Sequence, residues 1–384
     1  MSQWSPQQDA AIKSVASWLR DPTAPQVYRL FGYAGTGKTT LAIELAGLVR
    51  GDVLYATFTG KAALILRGKG CHGASTIHSL IYKAKQDEVT GAVTFKLDPK
   101  SALAQAGLLI VDEVSMVSEE LANDLLSFGV RILVLGDPAQ LPPVKGEGFF
   151  ISAKPDAMLT EVHRQARDNP IIRMSMDIRE GRPLGKGQHG DSLVIDRQVA
   201  GRERLQQIVL DADQLLCGLN RTRMTYNERI RALKGLRGKK EPWHPTTGDR
   251  LICLRNNREK QLLNGSLWML DKAVHKMDRL RLDANSLDES VKMMGLHGEY
   301  MQPRYEALTV RDAFFNGTEG DLDWRARKKG HEFTYGWAIT CHKSQGSQWD
   351  KVVVFDESRS FRDASAKWLY TAVTRAAEAV TVVM

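Results

Sequence analysis

Near the N-terminus Ala11, Ile12, Val15, Ala16 and Leu19 recur at the three- and four-residue intervals of one helix face. Ser5 ahead of Pro6 supplies an N-cap and a proline suited to the first turn, so a helix is expected to begin there. Short, nearly continuous apolar runs follow: VYRLF, VLYATF, LLIVDE and RILVLGD. Such runs suit strands buried on both faces. LAIELAGLV and GKAALILR, which lie among them, read as helices. Strands alternating with helices predict a parallel sheet covered on both sides, an α/β domain over residues 1–150.

Two segments break this rhythm. KQDEVTGAVTFKLDP, residues 85–99, alternates polar and apolar positions around Thr90-Gly91 and predicts a projecting β-hairpin, an insert over about 80–104. Beyond residue 150 the α/β pattern resumes, with DQLLCGL and KVVVFDE as strands and TRMTYNERIRALK as a helix, giving a second α/β domain over 151–384. Within it, residues from about 248 to 330 hold the short strands GDRLICLR, SLWMLDKAV, DRLRLDA and YEALTV, broken by turns such as Asn264-Gly265. They predict a small inserted β-barrel. The run DWRARKKGH, 323–331, reads as a solvated basic face or a phosphate contact.

Composition changes this picture only at the margins. Of 384 residues, 43% are hydrophobic and 26% charged, ordinary for a globular protein. No apolar run reaches membrane-spanning length and no basic-apolar-small signal opens the chain, so a cytoplasmic protein is expected, in a host's cytoplasm if phage-encoded. The formal charge of +8 favours a polyanionic partner. Cys71, Cys217, Cys253 and Cys341 are scattered without a C-x-x-C pair, which argues against a disulfide framework or a zinc ribbon.

The chemistry lies at the strand ends. GYAGTGKTT, residues 32–40, has the spacing of a phosphate-cradling loop. Its glycines let backbone N–H groups approach phosphate oxygens, and Gly32, Gly35, Thr36, Gly37, Lys38, Thr39 and Thr40 are the candidate contacts. Lys38 would reach the β/γ oxygens and Thr39 would ligate Mg2+. In LLIVDE, Asp112 ends an apolar run and would hold the metal, while Glu113 would act as general base toward water. GDPAQLPPV brings Asp137 and Gln140 to the same edge, where an amide can sense the γ-phosphate. The sequence thus predicts an ATPase or GTPase.

Taken in order, SPQQDAAI, GYAGTGKTT, TFTGKAA, STIHSL, VDEVSM, GDPAQLPPV, EVHRQ, AITCHKSQGS and YTAVTRA resemble the motifs of superfamily 1 helicases, spread over residues 5–376. The likeness is nearest to the RecD-like branch and, in its compact size, to a phage helicase of that branch. The resemblance implies two RecA-like domains in tandem, a strand-separating hairpin in the first and an SH3-like insert in the second. It implies that Gln8 reads the adenine edge, making ATP the nucleotide, and that Gln140 couples the γ-phosphate to the DNA surface. Arg164 and Arg375 resemble arginine fingers offered by the second domain, and Gly346, beside Gln345, the link between DNA grip and nucleotide. Thr59, Lys61 and His78 of the first domain, with Thr340 and His342 of the second, resemble residues that grip single-stranded DNA through phosphates. Phe95 and Val93 are candidates for stacking on the last base pair.

Movement is expected to run 5′→3′, by resemblance alone. The implied partners are single-stranded DNA and its junctions with duplex, possible single-strand-binding or replication proteins, and no membrane. A monomer suffices, since one chain carries both α/β domains. His163 stands where an aromatic residue is common in this motif, and no nuclease-like carboxylate cluster occurs, which favours a stand-alone motor. The alternative is an ATP-driven translocase or remodeller with little unwinding. A small-molecule kinase would require an acceptor pocket and lid, and a non-catalytic binding module would have no use for Glu113.

Overall fold

A computed structural model describes residues 4–86, 93–143, 148–161, 168–257, 260, 262–287, 293–294, 300–301, 303–323, 326–327 and 330–384. The turn at Thr90-Gly91, His163, Arg164 and part of DWRARKKGH lie outside the described residues. The chain forms two compact units, Met1–Gly181 and Arg182–Met384.

The first unit is built on strands β1 (Val27–Gly32), β2 (Val53–Thr57), β3 (Ser75–Thr76), β6 (Leu108–Asp112), β7 (Ile132–Gly136) and β8 (Ala157–Leu159), in the order β3-β2-β6-β7-β1-β8. Every neighbouring pair is parallel. Alternate residues of β6 and β7 enter opposite cores, Leu108, Ile110, Leu133 and Leu135 on one face and Leu109, Val111, Ile132 and Val134 on the other. That two-sided burial is why these segments read as continuous apolar runs rather than alternating ones. Helices α1 (Pro6–Arg20) and α2 (Lys38–Ala46) cover the first face, with Val15, Trp18, Leu41 and Leu45 buried there. Helices α4 (Ile77–Ile81) and α5 (Glu119–Leu126) cover the second. Helix α3 (Gly60–Gly68) follows β2 and buries Leu66 with Cys71 and Ala74 in a small satellite core.

The expected break near residue 150 does not coincide with the contact boundary. Strand β8 pairs with β1, Gly32 opposite Leu159, and helix Pro170–Arg179 also belongs to the first unit. The hairpin starts directly after α4. Strands β4 (Tyr82–Gln86) and β5 (Val93–Leu97) pair antiparallel, Tyr82 opposite Leu97 and Ala84 opposite Phe95.

In the second unit, strands β9 (Gly187–His189), β10 (Ser192–Ile195), β11 (Gln214–Cys217), β19 (Ala338–Thr340), β20 (Trp349–Phe355) and β21 (Ala376–Val383) form a sheet ordered β19-β11-β20-β21-β10-β9. All its pairs are parallel except the edge pair β9–β10. The two α/β sheets are tandem RecA-like folds. Between helix Asn220–Leu233 and β19 the chain forms an antiparallel sheet from β12 (Arg250–Cys253), β13 (Leu267–Lys276), β14 (Arg279–Ser286), β17 (Arg304–Arg311) and β18 (Phe333–Tyr335), ordered β17-β14-β13-β12-β18. Two-residue strands β15 (Met293–Met294) and β16 (Tyr300–Met301) pair antiparallel with each other. The inserted sheet runs beyond the expected end at 330, because β18 pairs with β12 through Cys253 and Phe333.

Arg231 fastens the insert to the helix before it. Its guanidinium donates to Asp249 Oδ1 at 2.8 Å and to the His244 carbonyl at 2.7 Å, with both charged side chains buried. A buried pair of this kind is costly to break from one side. The four cysteines are buried free thiols, and no described helix is long and apolar enough to cross a membrane.

Candidate functional site

In a parallel sheet all strands present the same end to one edge, and ligands gather at carboxyl ends. Here β1 ends at Gly32, β2 at Thr57, β6 at Asp112 and β7 at Gly136. The pairing sets Thr57 opposite Asp112 and Phe31 opposite Gly136. The glycine loop leaves this edge from β1 and turns directly into α2.

Local backbone demands explain the loop's composition. Gly35 and Gly37 both have φ of 77°, a region L side chains rarely adopt, and Gly37 is the residue preceding α2. Gly32 has no room for a side chain: a Cβ would lie 2.6 Å from Thr36 Oγ1 and 2.9 Å from Leu159 Cβ. Thr36 is buried, and its hydroxyl donates to the Tyr33 carbonyl at 2.8 Å. Lys38 folds back over the loop, its Nζ donating to the carbonyls of Gly32 at 2.6 Å and Tyr33 at 3.0 Å. Thr39 points to β6, its hydroxyl donating to Asp112 Oδ2 at 3.2 Å. Thr40, one position on, is exposed.

Asp112 Oδ1 accepts the Glu113 N–H at 2.8 Å. Burial, with the neighbouring Glu113 charge second, pushes the Asp112 carboxyl up, while Lys38 opposes the shift. Glu113 adopts φ 56° and ψ 48°, a left-handed conformation for a residue with a Cβ. Such backbone is strained and is concentrated at functional sites. At the end of β7, Asp137 Oδ1 accepts the Ala139 N–H, and Gln140 is buried with its Oε1 lacking a hydrogen-bond partner among the described residues. Thr57 Oγ1 is likewise buried and unpartnered. Orphaned acceptors at one sheet edge, beside a hydroxyl–carboxylate pair, suit a ligand rich in donors or a hydrated hard cation.

Gln8 is 2% exposed and engaged at both ends of its amide. Its Oε1 accepts the Ser5 N–H at 3.0 Å, completing a capping box, and its Nε2 donates to the Thr36 carbonyl at 3.1 Å. It therefore ties the start of α1 to the phosphate loop. A second tie was not legible in the sequence. The Arg179 guanidinium lies 3.8 Å from the ring centre of Tyr33, the second loop residue, and no spacing motif connects the two.

The candidate grip residues fall in two places. In the first unit Thr59 caps α3, accepting the Ala62 N–H at 3.2 Å, and Lys61 is buried in that helix. The His78 ring lies between Phe58 at 6.1 Å and Tyr82 at 5.5 Å, so an aromatic row leads from β2 to the hairpin root. Phe95 is 60% exposed but stands within β5, opposite Ala84, rather than at the turn. In the second unit Thr340 ends β19 and is buried, while the His342 ring lies 5.7 Å from Phe361, which stacks on Trp368 at 5.6 Å. Gly346 has φ of 74°, as its turn requires. Arg375 is buried; its guanidinium donates to the carbonyls of Thr371 and Ser347 and to the Thr374 hydroxyl, and no described carboxylate pairs with it.

Glu357, just beyond β20, was read only as the end of a strand. Its Oε2 accepts the N–H groups of Gly218 at 2.6 Å and Leu219 at 3.0 Å, and its Oε1 accepts the Thr222 hydroxyl at 2.6 Å. One carboxylate thus fixes the loop between β11 and helix Asn220–Leu233.

Comparison with known proteins agrees with this geometry. A family model described as an AAA domain matches residues 3–192, and one described as a UvrD-like helicase C-terminal domain matches 335–383. The ATP-dependent RecD2 DNA helicase of Deinococcus radiodurans is 28% identical over 383 residues, covering 94% of this chain and 47% of that protein. The RecBCD enzyme subunit RecD of Mycobacterium tuberculosis is 28% identical over 423 residues, covering 92% of this chain and 66% of that protein. Over nearly its whole length the chain is thus similar to RecD-like and Pif1-like helicases. It spans only about half the length of the first of these relatives. Among solved structures, Bacteroides Pif1 bound to ssDNA superposes with TM-score 0.56 at 17% identity, covering 99% of this chain and 92% of that one. Pif1 helicase from Candida albicans gives TM-score 0.54 at 18% identity, with coverage of 100% and 94%. Those likenesses establish the shared fold.

Proposed function

We propose that the chain is an ATP-dependent DNA helicase that moves 5′→3′ along single-stranded DNA and separates duplex. The observation that carries this reading is the hydroxyl–carboxylate pair of Thr39 and Asp112, set beside Lys38 at one sheet edge. Similarity to relatives named RecD2, RecD and Pif1 supports the substrate, and the RecD-like likeness supports the direction.

In this reading ATP draws the Lys38 ammonium from the loop carbonyls to its β/γ oxygens, while N–H groups of residues 35–40 receive the phosphates. Thr39 and Asp112 would hold Mg2+, which neutralises phosphate charge. Glu113 takes the proton of the attacking water, and Gln140, through its unpartnered amide oxygen, orients that water or senses the γ-phosphate. Arg164 and Arg375 are assigned to the charge spreading over the transferred phosphoryl group. Gln8 is assigned to the adenine edge, and because its amide also reaches the Thr36 carbonyl it would link the base to the loop. Thr59, Lys61, His78, Thr340 and His342 grip the strand, the inserted antiparallel sheet serves as an SH3-like module, and exposed Phe95 favours strand separation over bare translocation.

The direct test is ATP hydrolysis with and without an oligothymidylate. The native chain should be stimulated by the oligonucleotide. Glu113→Gln should retain nucleotide binding yet lose at least about a hundredfold in turnover. Unchanged turnover in that variant would contradict the assignment.

A further inference from the structure

Apart from the nucleotide edge, the second unit carries a cavity of about 690 Å³ between helix Arg202–Asp211 and helix Asn220–Leu233. Its floor is apolar: Leu205, Val209, Tyr226, Ile230 and Phe355. Tyr226 and Phe355 stack at 4.2 Å with their planes 28° apart, and both line the cavity although they are only 9% and 7% exposed. Helix Arg202–Asp211 has no fully buried residue; Leu205, Ile208 and Val209 are half-buried against the core of the unit.

The rim has a single sign of charge. Arg197, Arg202 and Arg229 line the cavity and are exposed, and the lining contains no carboxylate. None of the three makes an ion pair among the described residues. Arg229 does lie 5.8 Å from the centre of the Tyr226 ring, which brings its cation onto the aromatic floor. The apolar surface continues outward through Leu233 at 40% exposure and, beside Gln198, Val199 at 81%.

We propose that this cavity is a docking site for an acidic peptide segment bearing an aromatic side chain. The stacked rings and aliphatic floor receive the aromatic group, and the arginines pair with flanking carboxylates. Charge complementarity decides the occupant. Nucleic-acid phosphates are held by cations, hydroxyls and backbone N–H groups and need no apolar floor of this size. A neutral apolar ligand would make no use of the three exposed guanidinium groups at the rim. Guanidinium geometry also favours carboxylates, which it binds in bidentate fashion.

The test is fluorescence anisotropy with the full chain and a labelled decapeptide of aspartates and glutamates carrying one phenylalanine. A second peptide has serine in place of that phenylalanine, and a labelled oligothymidylate reports nucleic-acid binding. The phenylalanine peptide should bind saturably, and its serine counterpart at least about tenfold more weakly. The double variant R202E/R229E changes only exposed side chains and should weaken the phenylalanine peptide by a similar factor while its thermal unfolding stays unchanged. Val209→Trp, which fills the floor, should also weaken it. Equal binding of the two peptides, or full binding by both variants, would overturn the proposal. So would an R202E/R229E defect confined to the oligothymidylate, since the rim would then serve phosphates.

Discussion

Thr39 Oγ1 donates to Asp112 Oδ2 at 3.2 Å, joining the first turn of α2 to the end of β6 across the nucleotide edge. The bond depends on a hydroxyl, not on side-chain volume. Thr39→Ser should therefore keep DNA-stimulated ATP hydrolysis within a few-fold of the native rate, whereas Thr39→Val, of similar shape, should lose about a hundredfold or more. Phosphate release at saturating ATP measures both. An active valine variant would remove Thr39 from the site.

Gly32 is a steric requirement. An added Cβ would come within 2.6 Å of Thr36 Oγ1 and 2.9 Å of Leu159 Cβ, so loop and strand β8 would both have to move. Gly32→Ala should destabilise the first unit by about 1–3 kcal/mol and weaken nucleotide binding. Thermal unfolding with and without a non-hydrolysable ATP analogue reads both effects. A variant that melts like the native chain and is equally stabilised by nucleotide would contradict this packing.

Glu357 predicts a structural loss in the second unit. It accepts two backbone N–H groups and one hydroxyl, all within 3.0 Å. Glu357→Ala should cost about 2–3 kcal/mol, because buried donors are left without a charged acceptor. Thr222→Ala, which removes a single donor, should cost about 1 kcal/mol. Denaturant unfolding distinguishes the two, and equal losses would show that the backbone N–H bonds contribute little.

Histidine burial sets a pH dependence. His244, His331 and His342 are each held below the ordinary imidazole value of 6.5, burial being the leading cause in every case. As pH falls through that value, the unfolded chain takes up protons that the folded chain resists. Stability then rises with pH. The melting midpoint should fall on acidification from about pH 7.5 to about pH 5.5. A midpoint that is flat or rises over this range would contradict the burial of these rings.

Parallel strands and the conformation of the glycine loop were legible because two-sided burial and steric demands write themselves into residue type. VYRLF, LLIVDE and RILVLGD became β1, β6 and β7, and Gly35 and Gly37 occupy positions of positive φ. The edges of units were less legible. Strand β8 is only three residues long, Ala157–Leu159, and its place beside β1 depends on a long-range pairing that local pattern does not encode. Strand β18 carried the inserted sheet past residue 330 for the same reason. Side-chain partnerships were legible least of all. Nothing in KVVVFDE says that Glu357 will hold the Gly218 loop, and nothing in SPQQDAAI says that the Gln8 amide will reach the Thr36 carbonyl.

Unwinding of two duplexes, one with a 5′ single-stranded tail and one with a 3′ tail, tests the central claim most directly, with the native chain and Lys38→Ala side by side. ATP-dependent opening of the 5′-tailed duplex alone, absent in the variant, is the predicted result. No opening of either duplex, with ATP hydrolysis still stimulated by single strands, would contradict a helicase and leave a translocase.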